Sequence, residues 1–568
     1  MARSEPAPRI VPRLATCLRT YDRRIFLADL AAGVTVGLVA LPLAMAFAIA
    51  SGMSPQAGIY CAVVTGFIVS ALGGSRVQIA GPTGAFVVVV AGIVTKYGVD
   101  GLFMCTIMAG VMLIVLGFTG MGSAVRFIPR PVVVGFTNGI AVLIASTQLR
   151  DFFGLDLKDV PGEFGPRMMA LAAHARTFSP QATLVAVATL AIIVSIVRWF
   201  PRLPGSILAL VGVTIGARAL GATVETVGSR FGGIPSGLPH LAIPAFHLAL
   251  VPVLLSPAIT VGLLGAIESL MSAMVADKMS GDRHDSNTEL VAQGIANLVS
   301  PFVGGLPATG AIARTATNIR AGARTPVAGI VHALTLLAIL LVAAPLAAAI
   351  PMAVLAAILM VVSYNMGEWR EIPELLRLTK ADIAVWLATF ALTVFADLTV
   401  AVEVGMILAA LLFIRRVADT TTIAAVTPEY ISESLHHSLH RLAIPTYVRI
   451  FRIHGPFLFG ATDKLNVVSD TLETLPEIVI LRLRNMNALD GTGLRAFEDL
   501  ADTLHQSGRE LVLCGARRQP AHLMERADFH RHVGPENICD NVGDALARAE
   551  QIHQERQRGA RARQEASA

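Results

Sequence analysis

Long stretches without charge alternate with short polar breaks over the first four hundred residues of the chain. No Asp, Glu, Lys or Arg occurs between Asp29 and Arg76, between Arg230 and Glu268, or between Arg324 and Glu368. Each gap holds one or two runs of about 20 apolar residues, the length that one helix needs to cross a bilayer. Only helices and closed barrels span lipid, and runs of this length select helices. The pattern therefore predicts a long helical membrane body.

The polar breaks divide this body into twelve predicted spans and two shorter segments. We expect full crossings near residues 28–50, 56–73, 100–121, 129–148, 180–198, 205–222, 252–276, 288–303, 324–345, 349–366, 380–397 and 399–416. The segments near 82–96 and 311–321 are too short to cross and are predicted to be half-helices.

The two predicted half-helices open with similar residues. Residues 82–85 read Pro-Thr-Gly-Ala, and residues 307–311 read Pro-Ala-Thr-Gly-Ala. Proline is tolerated at a helix start, and glycine lets a ligand approach the backbone closely. Short segments of this kind at matching positions of two halves point to the central site of an inverted-repeat transporter. In both halves we expect extended chain, then the proline, then Thr-Gly-Ala, and then the half-helix.

Helix starts have a chemistry of their own. Each leaves unpaired backbone N–H groups and a partial positive charge of roughly half a unit. Two starts that face each other would form a cradle for an anion. The alternative is that both breaks are kinks packed against neighbouring helices, but the repetition of the motif favours the cradle.

The character of the chain reverses after Arg415, where charges become dense. Alternating patterns predict strands at 447–453, 477–483 and 510–514, and helical patterns lie at 460–474, 492–507 and 541–555. This β–α alternation predicts a soluble α/β domain. The expected organisation is an N-terminal segment (1–27), a transporter domain (28–417), a linker (418–444), the α/β domain (445–555) and a disordered basic tail (556–568).

Composition agrees with a membrane protein. Hydrophobic residues make up 54% of the chain and charged residues 15%, whereas soluble domains carry roughly 25% charge. The net charge of +5 is concentrated at the termini, and six arginines precede the first span: Arg3, Arg9, Arg13, Arg19, Arg23 and Arg24. This is a cytoplasmic topology signal rather than a nucleic-acid site. We find no nucleophile–base pattern of an enzyme and no cysteine spacing of a metal site, and expect no cofactor.

Two ionisable residues lie inside predicted membrane segments. A charged side chain at the bilayer centre costs roughly 2.5–3.5 kcal/mol on insertion scales, so Glu268 is a functional candidate. Burial disfavours its charged form, which suits reversible protonation and proton coupling. Ser272 follows one turn later. Arg314 offers bidentate donors to a carboxylate or oxyanion. A structural ion pair between Glu268 and Arg314 is the alternative.

Several stretches together resemble the SulP sulfate-permease family, whose vertebrate branch includes anion exchangers and the motor protein prestin. They are residues 29–33 with Leu41-Pro42, 54–60, 81–83, 131–141, 267–269, 293–297, 314–316 and 322–325. Residues 486–494 of the tail resemble a STAS domain. The resemblance implies a mostly α membrane protein of fourteen transmembrane segments, arranged as two inverted seven-segment repeats with two half-helices, plus a C-terminal cytoplasmic α/β STAS domain.

The resemblance also implies a site. The implied substrate-binding residues are Phe47, Thr83, Gly84, Ala85, Ala311, Ile312, Ala313 and Arg314, and the implied ion-coupling residues are Glu268 and Ser272. Sodium-coupled bicarbonate members of the family carry Asp and Thr at the coupling pair. Many relatives have Gln where Leu43 follows Pro42, so the anion stays open among sulfate, bicarbonate and a small dicarboxylate.

The leading hypothesis is proton-coupled symport of a small inorganic or carboxylate anion by alternating access. The alternatives are a sodium-coupled bicarbonate importer, an uncoupled anion channel or exchanger, and a STAS domain that mainly docks a cytosolic partner. We expect a homodimer in the bilayer of the inner (plasma) membrane, with both termini cytoplasmic and no nucleic-acid partner.

Overall fold

The computed structural model describes residues 10–122, 129–157, 160–200, 204–232, 241–396, 398–426 and 444–566. The chain forms two compact units, Met1–Ala409 and Ala410–Ala568. The helices up to the boundary are α1 Arg13–Cys17, α2 Arg23–Ala50, α3 Pro55–Leu72, α4 Gly84–Phe118, α5 Arg130–Phe153, α6 Phe164–Ala173, α7 Pro180–Trp199, α8 Gly205–Ala219, α9 Val227–Phe231, α10 Val251–Ser280, α11 Ser286–Val299, α12 Ile312–Arg320, α13 Val327–Ala347, α14 Met352–Met366, α15 Ile372–Leu375, α16 Lys380–Phe395 and α17 Leu398–Thr420.

Every predicted span overlaps one of these helices. Within the described residues, six helices are long and apolar enough to cross a membrane: α2, α3, α4, α5, α7 and the helix that contains α10. On α7, the large apolar side chains Leu184, Val194 and Val197 are exposed. Exposed apolar side chains on a helix this apolar indicate a surface that faces lipid. The exact count of fourteen segments stays a prediction.

The first unit contains two helical bundles. In one bundle, α2, α3 and α4 pack against α10, α11, α12 and α13. In the other, α5 packs against α7, α14 and α16, and α7 also contacts α8. We call them the first and the second bundle. Two helical walls are therefore available to enclose a site between them.

The first predicted half-helix is confirmed as the start of α4. Gly98 interrupts this helix with φ 73° and ψ −176°, a conformation that glycine alone adopts without strain. The break separates the short segment from the following span, as the polar break in the sequence indicated. The second half-helix is α12.

The repeated motif lies at the start of both half-helices, as predicted, with a small shift between the two halves. Thr83 is the residue before α4, whereas Thr309 and Gly310 form a two-residue strand and α12 begins at Ile312. The first half places Ala80 and Gly81 in the equivalent strand. The two strands therefore occupy equivalent positions in the two halves. The shared Thr-Gly pair does not, because it lies at the helix start in the first half and in the strand in the second.

Three segments meet on one face of the first unit, which we call the N-terminal face. Arg13 pairs with Asp282 at 3.3 Å, and Arg76 pairs with Asp282 at 3.0 Å. The backbone N–H of Arg13 donates to the carbonyl of Gly73 at 2.9 Å. The N-terminal segment, the loop after α3 and the loop between α10 and α11 thus lie together.

The second unit contains a five-stranded sheet. Its strands are β3 Thr422–Ala425, β4 Val448–His454, β5 Ile478–Asn485, β6 Glu510–Cys514 and β7 Ile538–Cys539, since β1 Ala80–Gly81 and β2 Thr309–Gly310 belong to the first unit. The order is β3-β4-β5-β6-β7, with β3 antiparallel to β4 and all other neighbours parallel. The helices are α18 Asn466–Ser469, α19 Gly491–Gln506, α20 Arg518–Arg526, α21 His530–Val533 and α22 Val542–Ala566.

Both faces of this sheet are covered. On one face, Phe497 of α19 packs against Phe451, Leu481 and Leu513. On the other face, Ala549 of α22 packs against Ile450, Ile480 and Val512. The two apolar clusters are separate because successive side chains of a strand point to opposite faces of the sheet. The Asp490 carboxylate accepts from the Gly493 N–H at 2.8 Å and caps α19.

Two predicted boundaries of this region differ from the structure. The expected linker, 418–444, contains the edge strand β3, because Ile423 and Val426 join the two apolar clusters of the sheet. The expected disordered tail is helical as far as Ala566. Its Ala, Arg, Gln and Glu residues are strong helix formers. They continue α22 beyond the turns that pack against the sheet.

We predict that a fragment of residues 421–566 is markedly more stable than a fragment of residues 444–566. The shorter fragment loses Ile423 and Val426 from the core and leaves β4 as an unprotected sheet edge. The loss of two core side chains should lower the melting temperature by about 10 °C or more. Circular dichroism melts of the two purified fragments measure this.

A fragment of residues 421–557 is the matched control, because it removes an exposed part of α22 instead. Equal melting temperatures for the fragments that begin at 421 and at 444 would show that β3 is not part of the domain.

Candidate functional site

The two half-helices begin at a crossing of short strands. β1 and β2 pair antiparallel, with Ala80 opposite Gly310 and Gly81 opposite Thr309. From this crossing the chain enters α4 at Gly84 and α12 at Ile312. Two helix N-termini therefore lie next to the same point, as the sequence predicted.

Buried side chains hold the crossing in place. The Ser269 hydroxyl lies 2.7 Å from the Thr309 hydroxyl and accepts from the Gly310 N–H at 3.1 Å. The side chain of Asn297 makes two hydrogen bonds with the backbone of Ala308, each 2.8 Å long. Its Nδ2 donates to the carbonyl, and its Oδ1 accepts from the N–H. Two strands of two residues have little stability of their own, so α10 and α11 fix their geometry through these bonds.

Arg314 ties the two helix starts together. It is only 2% exposed, and its Nη2 donates to the carbonyl of Pro82 at 2.9 Å. A Cβ on Gly81, whose φ is 155°, would lie 2.5 Å from Nη1, so the guanidinium requires glycine at this position. Nη1 is buried and has no hydrogen-bond partner among the described residues. A buried donor without a partner is costly, and this one is available to a ligand.

A cavity of about 320 Å³ adjoins these helix starts. The first bundle contributes residues of α2, α4, α10 and α12, and the second bundle contributes residues of α5 and of α14 with its following loop. Most of the lining is apolar, with Phe47 and Phe136 on opposite walls. Its charged lining residues are Glu268, Arg314 and Glu368. A few polar groups in an apolar cavity between two bundles are typical of a small-molecule site.

Eight of the ten predicted site residues line this cavity. They are Phe47, Thr83, Gly84, Glu268, Ala311, Ile312, Ala313 and Arg314. Leu43, which follows Pro42 in α2, also lines it. The Thr83 hydroxyl is buried without a hydrogen-bond partner among the described residues, so it is a second polar group free to meet a ligand.

Ala85 and Ser272 do not line the cavity. Ala85, in the first turn of α4, is fully buried in the apolar core. The Ser272 hydroxyl lies 3.1 Å from the Thr315 hydroxyl, and Thr315 also accepts from the Ile79 N–H at 3.0 Å. A residue four positions further along a helix is turned by about 40°, enough here to point Ser272 toward α12 while Glu268 faces the cavity.

Glu268 is half-buried and separate from Arg314. Although both side chains line the cavity, they form no ion pair within 4.0 Å in the described part of the chain. The structural ion pair that the sequence left open is therefore not formed. Each group keeps its charge, or its proton, available to the contents of the cavity.

Sequence reasoning missed the residues of the second bundle. Thr137 of α5, Asn365 of α14 and Glu368 beyond α14 complete the polar lining. One signal for Glu368 was present, since it ends the long uncharged stretch that follows Arg324. Nothing in the sequence placed it opposite Glu268, because that proximity arises only when the two bundles pack together.

The cavity continues toward the N-terminal face. A second space of about 330 Å³, which we call the vestibule, shares Val133, Ile267, Met271 and Glu368 with it. The vestibule is also lined by Arg130 and by His284, which lies in the loop that carries Asp282. Arg130 is paired with Glu371 and, at 3.1 Å, with Glu374. A path thus leads from the helix starts to the N-terminal face.

Family comparisons agree with this architecture. Residues 26–389 match the profile of the sulfate permease family, and residues 441–545 match that of the STAS domain. The chain is 40% identical to a putative sulfate transporter, YvdB, of Bacillus subtilis, over 93% of this chain and 99% of the relative. It is 32% identical to the bicarbonate transporter BicA of Synechocystis, over 91% of this chain and 93% of the relative.

Solved structures give the same picture of the fold. The structure of SLC26A9 superposes with a TM-score of 0.85 at 17% identity, covering 96% of this chain and 93% of that one. The transmembrane domain of a cyanobacterial BicA superposes with a TM-score of 0.61 at 34% identity, covering 69% of this chain and 98% of that domain.

Proposed function

The chain belongs to the sulfate permease family, and from this premise we propose that it is a secondary active transporter that carries a small anion together with a proton. The anion is sulfate, bicarbonate or a small dicarboxylate, and it is held between the N-termini of α4 and α12. Transport proceeds by alternating access across the inner membrane, with both termini in the cytoplasm. The protein works as a homodimer.

The unpartnered Nη1 of Arg314 is the observation that carries this proposal. It lies beside two helix starts, at a cavity of about 320 Å³, which has room for a small anion. The helix starts contribute roughly one positive charge in sum, and the guanidinium contributes another. This combination favours an oxyanion or carboxylate, which accepts hydrogen bonds from all three groups.

The charge balance of the cavity supports proton coupling. With Glu268 and Glu368 both ionised, their two negative charges offset the roughly two positive charges of Arg314 and the helix starts. A proton on Glu268 leaves the cavity positive and therefore ready for an anion. Binding of the proton then favours binding of the anion, and binding of the anion favours binding of the proton. Symport requires this mutual effect.

Sodium-coupled bicarbonate import is the second candidate, because BicA is similar to this chain over nearly its whole length. One contact weighs against it. Ser272, the expected second ligand of a coupling ion, is engaged with Thr315 and does not reach the cavity.

Arg314→Ala should weaken anion binding about 10-fold to 100-fold without abolishing it. The guanidinium supplies charge-assisted hydrogen bonds worth roughly 1.5–3 kcal/mol, while the backbone donors of the helix starts remain. Isothermal titration of the purified full chain with sulfate, bicarbonate and succinate measures the change.

Arg320→Ala is the matched control, since Arg320 is an exposed arginine at the end of the same helix. Equal affinities for wild type and Arg314→Ala would remove Arg314 from the site, and absence of binding of all three anions to wild type would contradict the proposed function.

Glu268→Gln should markedly reduce the response of uptake to an imposed pH gradient while exchange of anion for anion continues. Glutamine keeps the shape and the hydrogen bonding of the side chain but carries no titratable proton. Uptake and exchange of labelled anion in proteoliposomes, with imposed H⁺ or Na⁺ gradients, separate the two activities. An unchanged proton dependence in the variant, or wild-type uptake that follows Na⁺ at fixed pH, would overturn proton coupling through Glu268.

A further inference from the structure

A second carboxylate faces the anion cavity from the opposite wall. Glu368 lies two residues beyond the end of α14 and lines both the cavity and the vestibule. Glu268 belongs to α10 of the first bundle, so the two carboxylates come from different bundles. Both carboxylates line the same cavity, one from each wall.

Glu368 is half-buried, and its carboxylate forms no hydrogen bond or ion pair within the described parts of the chain. The nearby cation, Arg130, is already paired with Glu371 and Glu374. Burial raises the pKa of Glu368 above the ordinary value of a glutamate, and the charge of Arg130 opposes this shift. The carboxylate is thus exposed to the cavity and not neutralised by a dedicated partner.

The charged and titratable groups around Glu368 come from every neighbouring element. They are Arg130 of α5, Glu268 of α10, His284 of the loop after α10, Arg314 of α12, and Glu371 and Glu374 beside or within α15. Of these, Arg130, Glu371 and Glu374 form one ion-paired group, and His284 is bound to Asp277 at 2.7 Å. This leaves Glu268 and Glu368 as the two unpaired carboxylates, among the described residues, that meet the contents of the cavity.

We propose that Glu368 is a second titrating carboxylate of the anion site, which weakens anion binding from the N-terminal face when it is charged and permits tight binding when it is protonated. The inference rests on the proposed function, because it assumes that the anion occupies the cavity beside Arg314. It adds a role for the second bundle, to which sequence and family resemblance assigned no site residue.

The sign of the effect follows from the charges. An anion in the cavity is attracted by Arg314 and the two helix starts and repelled by an ionised Glu368. As the pH rises through the pKa of Glu368, the carboxylate ionises and the affinity for the anion falls. A proton bound at Glu368 therefore accompanies the anion, and loss of that proton toward the vestibule promotes release of the anion to the N-terminal face.

The test is the pH dependence of anion binding to the purified full chain. Sulfate, bicarbonate and succinate are titrated at pH 6, 7 and 8 into wild type, Glu368→Gln and Glu368→Asp. At pH 8, Glu368→Gln should bind about tenfold more tightly than wild type, the size expected for removal of one unit charge several ångströms away in a solvated cavity. As the pH is lowered, the two affinities should converge, because wild-type Glu368 then gains its proton.

Two control variants test whether the effect of Glu368→Gln comes from the lost charge or from a change in the local structure. Glu368→Asp keeps the charge and should follow the pH profile of wild type. Glu374→Gln removes a more exposed carboxylate that lines neither space, while Arg130 keeps its pair with Glu371, so its affinities should match wild type at each pH.

The outcomes separate this inference from the function beneath it. If wild type binds an anion, Arg314→Ala weakens that binding, and Glu368→Gln matches wild type at all three pH values, the role of Glu368 is wrong and the proposed function stands. If wild type binds none of the anions, or Arg314→Ala binds as wild type does, both fail. A tighter Glu368→Gln at every pH with no convergence would show that the charge of Glu368 does not titrate in this range, and would overturn the proposal.

Discussion

The guanidinium of Arg314 lies where β1 and β2 cross, with one nitrogen bound to the carbonyl of Pro82 and the other without a partner among the described residues. This arrangement constrains much of the membrane unit. Gly81 has to lack a side chain so that the guanidinium fits, and Ser269 and Asn297 have to fix two very short strands. The cost of burying a charged group with one unmet donor is tolerable where a ligand completes its hydrogen bonds. An anion bound at the crossing, as we propose, would complete the hydrogen bonds of Arg314.

The two walls of the cavity contribute different parts of the chemistry. The first bundle supplies the positive elements, namely Arg314 and the helix starts, together with Glu268. The second bundle supplies apolar surface and one carboxylate, Glu368, at the junction with the vestibule. Because the attraction of Arg314 and the repulsion of Glu368 come from opposite walls, a movement of one bundle against the other changes the charge that a bound anion experiences. This is a physical basis on which alternating access can alter affinity between the two sides.

Features whose cause is local in sequence were predictable. The uncharged gaps indicated the spans, and the cost of intramembrane charge pointed to Glu268 and Arg314. The capping of α19 by Asp490 also follows from neighbouring residues. Other features depend on packing between distant segments. The orientation of Ser272 is decided by Thr315, the register of the two halves by strand pairing, and the place of Glu368 by contact between the bundles. Composition also failed to separate disorder from helix in residues 556–566, since the same residues favour both.

A direct test of the account is a cryo-electron microscopy structure of the full chain in lipid nanodiscs, with and without a saturating concentration of the transported anion. Added anion should produce density between the starts of α4 and α12, within hydrogen-bonding distance of Arg314 Nη1, and this density should be absent without the anion. Two results would contradict the claim that the paired helix starts and Arg314 form the anion site. One is anion density elsewhere in the membrane unit, and the other is a protein group that accepts a hydrogen bond from Nη1 in both states.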